Sequence, residues 1–468
     1  MAFIDASVVN VALPTIGRDL QLGLSGREWI FLSYSLALAS LYLVGGATGD
    51  RLGHRRVFVA GVLAFAVASA LAGAAPNGGF LIGARTLQGV AGAFVTTGSL
   101  ATLRAAYGAE SGRAVGLWTA WTGITAIIGP PLGGAIVQYS SWRLIFYINL
   151  PLALLVLVFA RHGVAEEPPA AEPHRPFDLA GSVLVALGFG SLTYALVEGA
   201  AHGIGAAVWA IPLAVVALAA FFLRELRSRE PILPLTLFRR RNFAAANLET
   251  LLVYAALGGS SFFFALYLQT VIGYSPVQAS VVMLPVSLVI LLLAGSFGRR
   301  ADQHGPRLYL TLGPLLIAAG LLFWTGVASR SDWWALAAGV GVYSLGLAVT
   351  VAPITSTALA SAPARLAGIA SGVNNTVSRV GGLLAVGLIG LVISLVYSSR
   401  APGSDLRPLA ERPTTAVTRN ASVDAFRAGL VVSAGLALAG GLVAAIRISN
   451  SEALAQEETE ASPAASAE

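Results

Sequence analysis

The chain has 468 residues, of which 56% are hydrophobic and only 11% charged, and its mean hydropathy is +0.76. Soluble domains carry about 25% charged residues, so this composition predicts a protein that crosses a membrane many times. All 29 basic residues are arginine and cysteine is absent, which excludes a Walker A ATPase, a Schiff-base enzyme, disulfides and thiolate metal sites.

Apolar runs follow one another along the whole chain. A helical span needs about 20 apolar residues. Six runs come first, near 1–16, 29–48, 57–75, 79–103, 114–137 and 142–160. A hydrophilic stretch precedes a pair of runs near 179–199 and 206–223. Six further runs lie near 243–271, 277–297, 308–328, 333–357, 367–397 and 424–446. The order predicts fourteen spans, arranged as six, two and six.

This order divides the chain into four parts. We expect an N-terminal six-helix bundle over 1–160, an inserted helix pair with a basic linker over 161–242, a C-terminal bundle over 243–446 and a disordered acidic tail over 447–468. If segment 49–56 faces the cytoplasm, 18 arginines lie on that side and seven outside. The bias predicts that both termini are cytoplasmic.

The first run is short. Asp5 lies four residues after Met1, and 16 residues of helix measure roughly 24 Å against a hydrocarbon core of about 30 Å. We therefore expect the natural start to lie upstream and the first helix to be truncated.

A charged segment with glycines occurs twice. Four of its residues recur 252 positions later: Gly46, Asp50, Gly53 and Arg55 match Gly298, Asp302, Gly305 and Arg307. Two copies at one offset predict a duplicated bundle, although an ordinary basic turn is the alternative. Arg51, Arg55 and Arg56 surround Asp50, and we interpret the segment as a turn whose ion pair opens and closes a cytoplasmic gate. An exposed ion pair is worth only about 0–1 kcal/mol, which suits a contact that breaks in every cycle.

Charges inside apolar runs are the candidate functional residues. Asp5, Arg85 and Glu249 lie within predicted spans, where an unpaired charge is costly and usually functional. A buried carboxyl can load and release a proton, and Arg85 would help to expel it. The alternative is a fixed ion pair. Large cavities are mostly apolar with a few polar anchors. By position, candidates to line one are Tyr34, Trp121, Tyr254, Phe263, Tyr267, Gln269, Asn374 and Asn375.

Ordered motifs in the first half resemble the major facilitator superfamily, and more closely its fourteen-span drug:proton antiporter branch. They are Ile4–Pro14, the segment 46–56, the fourth span with Arg85, Gln88 and Gly89, the fifth with Gly129, Pro130, Gly133 and Gly134, and Trp142–Pro151. Thr48 departs from the superfamily pattern, which has leucine there. In the fifth span, Pro130 interrupts the helical ladder while the glycines permit close packing, so a bend between halves or a simple packing kink is expected.

The resemblance implies an all-α integral membrane protein of two pseudo-symmetric six-helix bundles with two extra helices between them. It implies a proton-driven antiporter that exports amphipathic or cationic small molecules, with Asp5, Asn10, Arg85 and Glu249 as proton-coupling or substrate residues. We expect a monomer in the cell membrane whose partners are substrate, protons and lipid, with no cofactor, no metal and no nucleic acid.

Two alternatives remain open. The first is an importer or uniporter of the same fold. The Gly129–Pro130 motif argues against it, because the resemblance associates that motif with antiporters. A non-transporting receptor or a membrane-bound enzyme is the other. The sequence offers no large domain outside the predicted spans and no constellation of metal ligands or nucleophiles, so we do not expect an enzyme.

Overall fold

The computed structural model describes residues 1–107, 125, 128–163, 179–227, 235–328, 333–363, 366–404 and 408–450. In these ranges the regular structure is helical and contains no strand. The predicted all-α class is therefore confirmed for the described part of the chain.

Seven helices occur in the described ranges of the first half. They are α1 (Ala2–Asp19), α2 (Leu24–Leu52), α3 (His54–Gly73), α4 (Gly78–Tyr107), α5 (described over 128–139), α6 (Leu144–Tyr147) and α7 (Asn149–Gly163). The interpretation of 46–56 as a turn is wrong in extent, because α2 continues to Leu52. The reversal occurs at Gly53 alone, whose φ of +91° is a backbone conformation that favours glycine.

The inserted segment packs beside α2. It contains α8 (Leu179–His202), the short α9 (Ile204–Ala207) and α10 (Ala210–Arg227). The indole Nε1 of Trp29 on α2 donates a 2.7 Å hydrogen bond to Glu198 on α8, and the Trp29 and Tyr194 rings lie 6.2 Å apart. The extra helices therefore have a specific contact with the first bundle.

The second half repeats the helix pattern of the first. It contains α11 (Arg241–Tyr267), α12 (Pro276–His304), α13 (Arg307–Val327), α14 (Trp333–Ala360), α15 (Ala367–Arg400) and α16 (Ala416–Arg447). A π-helical turn, Leu268–Ile272, extends α11. Both ends of α12 are those of α2 shifted by 252 positions, and Gly305 has a φ of +89°, close to that of Gly53. The helix bounds and the glycine conformation thus repeat at the offset of the sequence motif.

Nine helical segments in the described ranges are long and apolar enough to cross a membrane. They are His54–Gly73, Leu144–Arg161, Ala180–His202, Arg241–Ile272, Pro276–His304, Arg307–Val327, Trp334–Ala360, Ile369–Arg400 and Ala416–Arg447. Helices α1 and α10 are 18 residues long and each contains three charged residues, whereas each of these nine has an 18-residue stretch with two charged residues at most. The total of fourteen spans stays a prediction.

The chain forms two compact units. The first contains Met1–Ile232, Phe264–Val281 and Tyr397–Ser422, and the second contains Leu233–Phe263, Val282–Val396 and Val423–Glu468. A core around Tyr34, Leu38 and Phe65 joins α2, α3 and α4 in the first unit. In the second unit, Ala246, Leu310 and Ala444 join α11, α13 and α16. The domain boundaries expected from the repeat remain predictions, since these units group the residues differently.

Candidate functional site

The candidate site of the first unit is built around Asp5, in the first turn of α1. Its carboxylate Oδ2 accepts a 2.5 Å hydrogen bond from Nη1 of Arg85 on α4, and the two side chains are 0% exposed. The structure therefore brings two predicted residues, 80 positions apart, into a buried ion pair.

Two amides and one hydroxyl complete the surroundings of Asp5. Carboxylate Oδ1 accepts hydrogen bonds from Gln88 Nε2 at 3.2 Å and from Asn149 Nδ2 at 2.9 Å. Both amides also donate to Oγ of Ser69 on α3 at 2.9 Å, and that hydroxyl donates to the Phe146 carbonyl. Gln88, Asn149 and Ser69 are each 0% exposed. We call Asp5, Arg85, Gln88, Ser69 and Asn149 the Asp5 network.

The guanidinium of Arg85 is held on several sides. Its Nε donates to the Ile30 carbonyl at 3.3 Å, and Nη1 also donates to Oε1 of Gln88 at 2.8 Å. Its Cζ lies 4.2 Å from the centre of the Tyr34 ring, a cation–π distance. The Tyr34 hydroxyl in turn donates to the Ala2 carbonyl at 3.4 Å. Tyr34, predicted to line a cavity, thus packs against the ion pair.

Most polar atoms of the buried Asp5–Arg85 ion pair have hydrogen-bond partners. A buried ion pair keeps its charges only if its remaining donors and acceptors find partners, because removing two charges from water is costly. Both carboxylate oxygens of Asp5 accept hydrogen bonds, whereas Arg85 Nη2 and Asn149 Oδ1 have no hydrogen-bond partner in the described residues. The network therefore joins α1 to α4 and α7 through buried polar contacts.

Glycines let the helices approach this network. A Cβ on Gly89 of α4 would lie 2.9 Å from Ala37 Cβ on α2. On α5, a Cβ on Gly133 would lie 3.0 Å from the Val8 Cα, and one on Gly134 would lie 2.8 Å from the Pro276 carbonyl oxygen. A Cβ on Gly129 would likewise lie too close to the Ser7 side chain. The predicted close packing of α5 is therefore observed against α1, one turn from Asp5.

Glu249 lies in the second unit, on α11. It is 0% exposed, and neither carboxyl oxygen has a hydrogen-bond partner among the described residues. Its Cγ lies 3.7 Å from the position of a Cβ on Gly440 of α16. Asn374 donates to Asn247 Oδ1 at 3.3 Å and to Thr250 Oγ1 at 2.9 Å, so amide and hydroxyl groups flank Glu249 along the helix.

The other predicted cavity residues have varied surroundings. Phe263 and Tyr267 are 1% exposed, which is the burial of core side chains. The amide of Gln269 donates to the Val11 carbonyl at 3.0 Å within the first unit. Asn375 is exposed and bonds its own helix, and Tyr254 is half-buried. Trp121 lies outside the described residues. The role of all of these in a cavity stays a prediction.

The predicted gating arginines make equivalent contacts in the two halves. Arg55 donates to the Arg161 carbonyl at the end of α7 at 3.1 Å, and Arg307 donates to the Ala445 carbonyl at the end of α16. Both contacts satisfy carbonyls in the last turn of the final helix of their half. Asp302 is exposed, and Arg56 is exposed as well. The surroundings of Gly46 and the side chains of Asp50 and Arg51 lie outside what the structure describes, so the ion-pair gate stays a prediction.

Sequence reasoning missed several buried residues. Gln88 and Asn149 entered only as parts of motifs, and no signal selected Ser69. Arg27 is one of the seven arginines that the sequence places outside. In the structure α2 begins at Leu24, and Arg27 and Glu28 lie within it at 1% and 2% exposure. Asn10, a predicted site residue, is half-buried, and its Oδ1 has no hydrogen-bond partner in the described ranges.

Two observations concern groups away from the network. At the end of α1, Asp19 accepts hydrogen bonds from Trp142 Nε1 at 2.7 Å and Arg143 Nη1 at 3.0 Å, and these bonds hold the pKa of Asp19 below its usual value. In the residues that the structure describes, no group of three or more histidine, aspartate and glutamate side chains could hold a metal ion.

Comparisons with known proteins agree on one family. The sequence profile of the Major Facilitator Superfamily matches residues 1–386. The multidrug resistance protein Stp of Mycobacterium tuberculosis is 35% identical over 403 residues, which cover 85% of this chain and 74% of that protein. The tetracenomycin C resistance and export protein of Streptomyces glaucescens is 32% identical over 440 residues, covering 91% and 80%. The methylenomycin A resistance protein of Bacillus subtilis is 34% identical over 406 residues, covering 84% and 85%.

Solved structures show the same fold. A bacterial homologue of the human lysosomal transporter Spinster superposes with a TM-score of 0.67 at 15% identity, over 97% of this chain and 95% of that one. A bacterial homologue of the human peptide transporters PepT1 and PepT2 gives a TM-score of 0.60 at 16% identity, over 94% of each chain. Together with the apolar helices, these matches establish a membrane-embedded protein of the major facilitator fold.

Proposed function

Because the chain belongs to the Major Facilitator Superfamily, we propose that it exports amphipathic small molecules from the cytoplasm in exchange for protons. The observation that carries the proposal is the Asp5 network, a fully buried carboxylate held by one guanidinium and two amides. Relatives named for multidrug resistance, tetracenomycin C export and methylenomycin A resistance support export of drugs or antibiotics as the direction and substrate class.

In this mechanism Asp5 carries the proton. In the outward-facing state Asp5 takes a proton, which removes its charge and releases Arg85. In the inward-facing state the proton leaves and the ion pair forms again, because a neighbouring positive charge favours the carboxylate. Glu249 is the second carboxyl and favours cationic substrates. Asn10 lies on the same helix as Asp5 and is half-buried, as expected of a residue that contacts substrate.

The fourteen-span arrangement, the monomeric state and the location in the cell membrane with both termini cytoplasmic belong to the same proposal. The arginine bias of the loops supports the orientation. The proton gradient is the energy source, so the proposal requires no cofactor.

Gradient-driven transport by the Asp5→Asn variant tests this function. The 468-residue chain is reconstituted in proteoliposomes, and efflux of a fluorescent amphipathic cation is followed after a pH gradient is imposed. Asparagine keeps the size of the side chain but cannot carry a proton. We expect Asp5→Asn to bind substrate and to exchange it when no pH gradient is imposed. We expect the variant to lose proton-driven accumulation of substrate against a substrate gradient.

Asp19→Asn is the matched control. It lies on the same helix, but its side chain is 49% exposed and pairs with Arg143 near the end of α1. This variant should accumulate substrate as the wild type does. Undiminished accumulation by the Asp5→Asn, Glu249→Gln double variant would show that coupling does not use these carboxyls.

A further inference from the structure

A large cavity lies in the first unit, away from the Asp5 network. Its volume is about 820 Å³, and it is bordered by the end of α1, the start of α2, segment 269–278 and residues 410–412. Drug-sized ligands occupy pockets of about 300–1,000 Å³, so the space suits a small organic molecule. We call it the Arg27 cavity after its most buried charged residue.

The charge of the Arg27 cavity is strongly positive. Three arginines, Arg18, Arg27 and Arg412, line it together with one acid, Glu411. Arg18 is close enough to Arg27 for the two positive charges to repel each other, and Glu411 is close enough to attract Arg27. No ion pair of Arg27 occurs among the described residues. Guanidinium groups held together without equal negative charge form a site that favours an anion.

Arg27 itself is built into the wall of the cavity. The residue is 1% exposed, although arginine is almost never fully buried unless it is paired. Its Nη2 donates to the Ala410 carbonyl at 2.5 Å and its Nη1 to the Leu409 carbonyl at 3.5 Å. These partners are neutral, and Arg27 Nε is buried without a hydrogen-bond partner in the described part of the chain. The positive charge is therefore fixed in place and only partly satisfied.

Two glycines make room for the guanidinium groups. A Cβ on Gly17 would lie 2.6 Å from Cζ of Arg27, so a larger residue there would displace the guanidinium. Gly273 has a φ of +88°, and a Cβ on it would lie 2.6 Å from Nη2 of Arg412. Arg27 and Arg412 thus pack directly on glycine backbone at the border of the cavity.

We propose that the Arg27 cavity binds the carboxylate or phosphate group of a small amphipathic anion. Guanidinium groups recognise such planar or tetrahedral anions through charge-assisted hydrogen bonds. Pro14, Leu22 and Pro276 also line the cavity and provide apolar surface for the rest of the molecule. The site requires no transport cycle, so it stands or falls independently of proton-coupled export.

Equilibrium binding tests this site. The probe is 1-naphthoate, titrated into the purified 468-residue chain in detergent, and its uncharged amide, 1-naphthamide, is the matched ligand. We expect saturable binding of 1-naphthoate and at least about tenfold weaker binding of the amide, since hydrogen bonds to charged groups contribute about 1.5–3 kcal/mol. Equal binding of acid and amide would contradict the proposal.

The variants separate the cavity from general surface charge. Arg18 and Arg412 are exposed, so an Arg18→Gln, Arg412→Gln double variant removes two charges without disturbing a core. It should weaken 1-naphthoate binding about tenfold or more. Arg419→Gln removes an exposed arginine in the first turn of α16, outside the cavity, and should change nothing. An equal effect of the double variant and Arg419→Gln would overturn the assignment.

A second probe identifies the source of the anion. Short-chain phosphatidylglycerol is titrated into the same three samples, which are the wild type, the double variant and Arg419→Gln. Binding of this lipid that depends on Arg18 and Arg412 assigns the cavity to lipid phosphate, and binding of 1-naphthoate alone assigns it to soluble carboxylates. Both patterns support an anion site. Saturable binding of neither probe to the wild type refutes it.

Discussion

At the scale of single residues, the surroundings of a charge decide what it can do. Asp5 and Glu249 are both fully buried carboxyls, yet their partners differ. Asp5 accepts hydrogen bonds from Arg85, Gln88 and Asn149, whereas Glu249 has no hydrogen-bond partner in the described ranges. A buried charge without a partner is costly. The partners of Asp5 offset this cost, whereas Glu249 could keep a charge only beside a positive group.

This difference leads to a prediction for Glu249→Gln. If a cationic substrate supplies the missing positive charge, glutamine should weaken export of cations much more than export of neutral substrates. Loss of an interaction between charged groups corresponds to about tenfold weaker apparent affinity or more. The measurement compares apparent KM for a cationic dye and for an uncharged substrate in proteoliposomes.

A suitable control for this prediction lies on α10. Glu225 is also buried, at 3% exposure, but belongs to the inserted segment. Glu225→Gln should leave both apparent KM values unchanged. If Glu249→Gln weakens both substrates equally, Glu249 has no selective role for cations.

At the scale of helices, the contact of α5 with α1 links the glycine motif to the Asp5 network. Gly129 and Gly133 face Ser7 and Val8, which follow Asp5 by two and three positions. Any movement of α1 during a transport cycle must therefore occur against α5. Because Gly129 and Gly133 have no side chain, the backbones of α5 and α1 can approach closely.

We expect Gly133→Ala to destabilise this contact. The new Cβ would lie 2.7 Å from Val8 Cγ1, and overpacking of this kind costs about 1–3 kcal/mol. The variant should show a lower apparent Tm in intrinsic fluorescence and slower efflux. Gly83→Ala on α4 is the control, because no atom lies within 4 Å of its added Cβ. It should be as stable as the wild type or more stable, since alanine is favoured over glycine in helices. Equal Tm values for both variants would contradict the packing argument.

At the scale of the whole molecule, the duplication is visible in structure as well as in sequence. Helices α2 and α12 correspond at both ends, and each precedes a glycine with a φ near +90°. Arg55 and Arg307 then bond the last turn of α7 and of α16. The repeated motif therefore places the same contact in both halves, although the chain between them contains an inserted helix pair.

The orientation of the molecule can be tested with single cysteines in this cysteine-free chain. Fourteen spans place the linker over 224–242 in the cytoplasm and the loop over 398–423 outside. We expect an impermeant maleimide to label Ser404→Cys but not Ser228→Cys in intact cells, and to label both after permeabilisation. Ser228 lies outside the described residues, and the wild-type chain is the unlabelled control. Labelling of Ser228→Cys in intact cells would overturn the topology.

The sequence by itself determined the structural class, the internal duplication and which charged residues lie within the predicted spans. Membrane-spanning helices need long apolar runs, so composition and run length were sufficient for an all-helical membrane protein. The glycine motif at a constant offset indicated the duplication. Asp5, Arg85 and Glu249 were selected because a charge within an apolar run is conspicuous.

Only the tertiary structure decided which side chains meet. Gln88 and Asn149 lie 83 and 144 positions from Asp5, and helix packing alone brings their amides to its carboxylate. Arg27 looked like a loop residue because charge at the end of an apolar run normally faces water. It is buried because Gly17 leaves space for its guanidinium, and the carbonyls of a distant loop accept its hydrogen bonds. Contacts of this kind depend on the close approach of separate helices, which no local pattern in the sequence records.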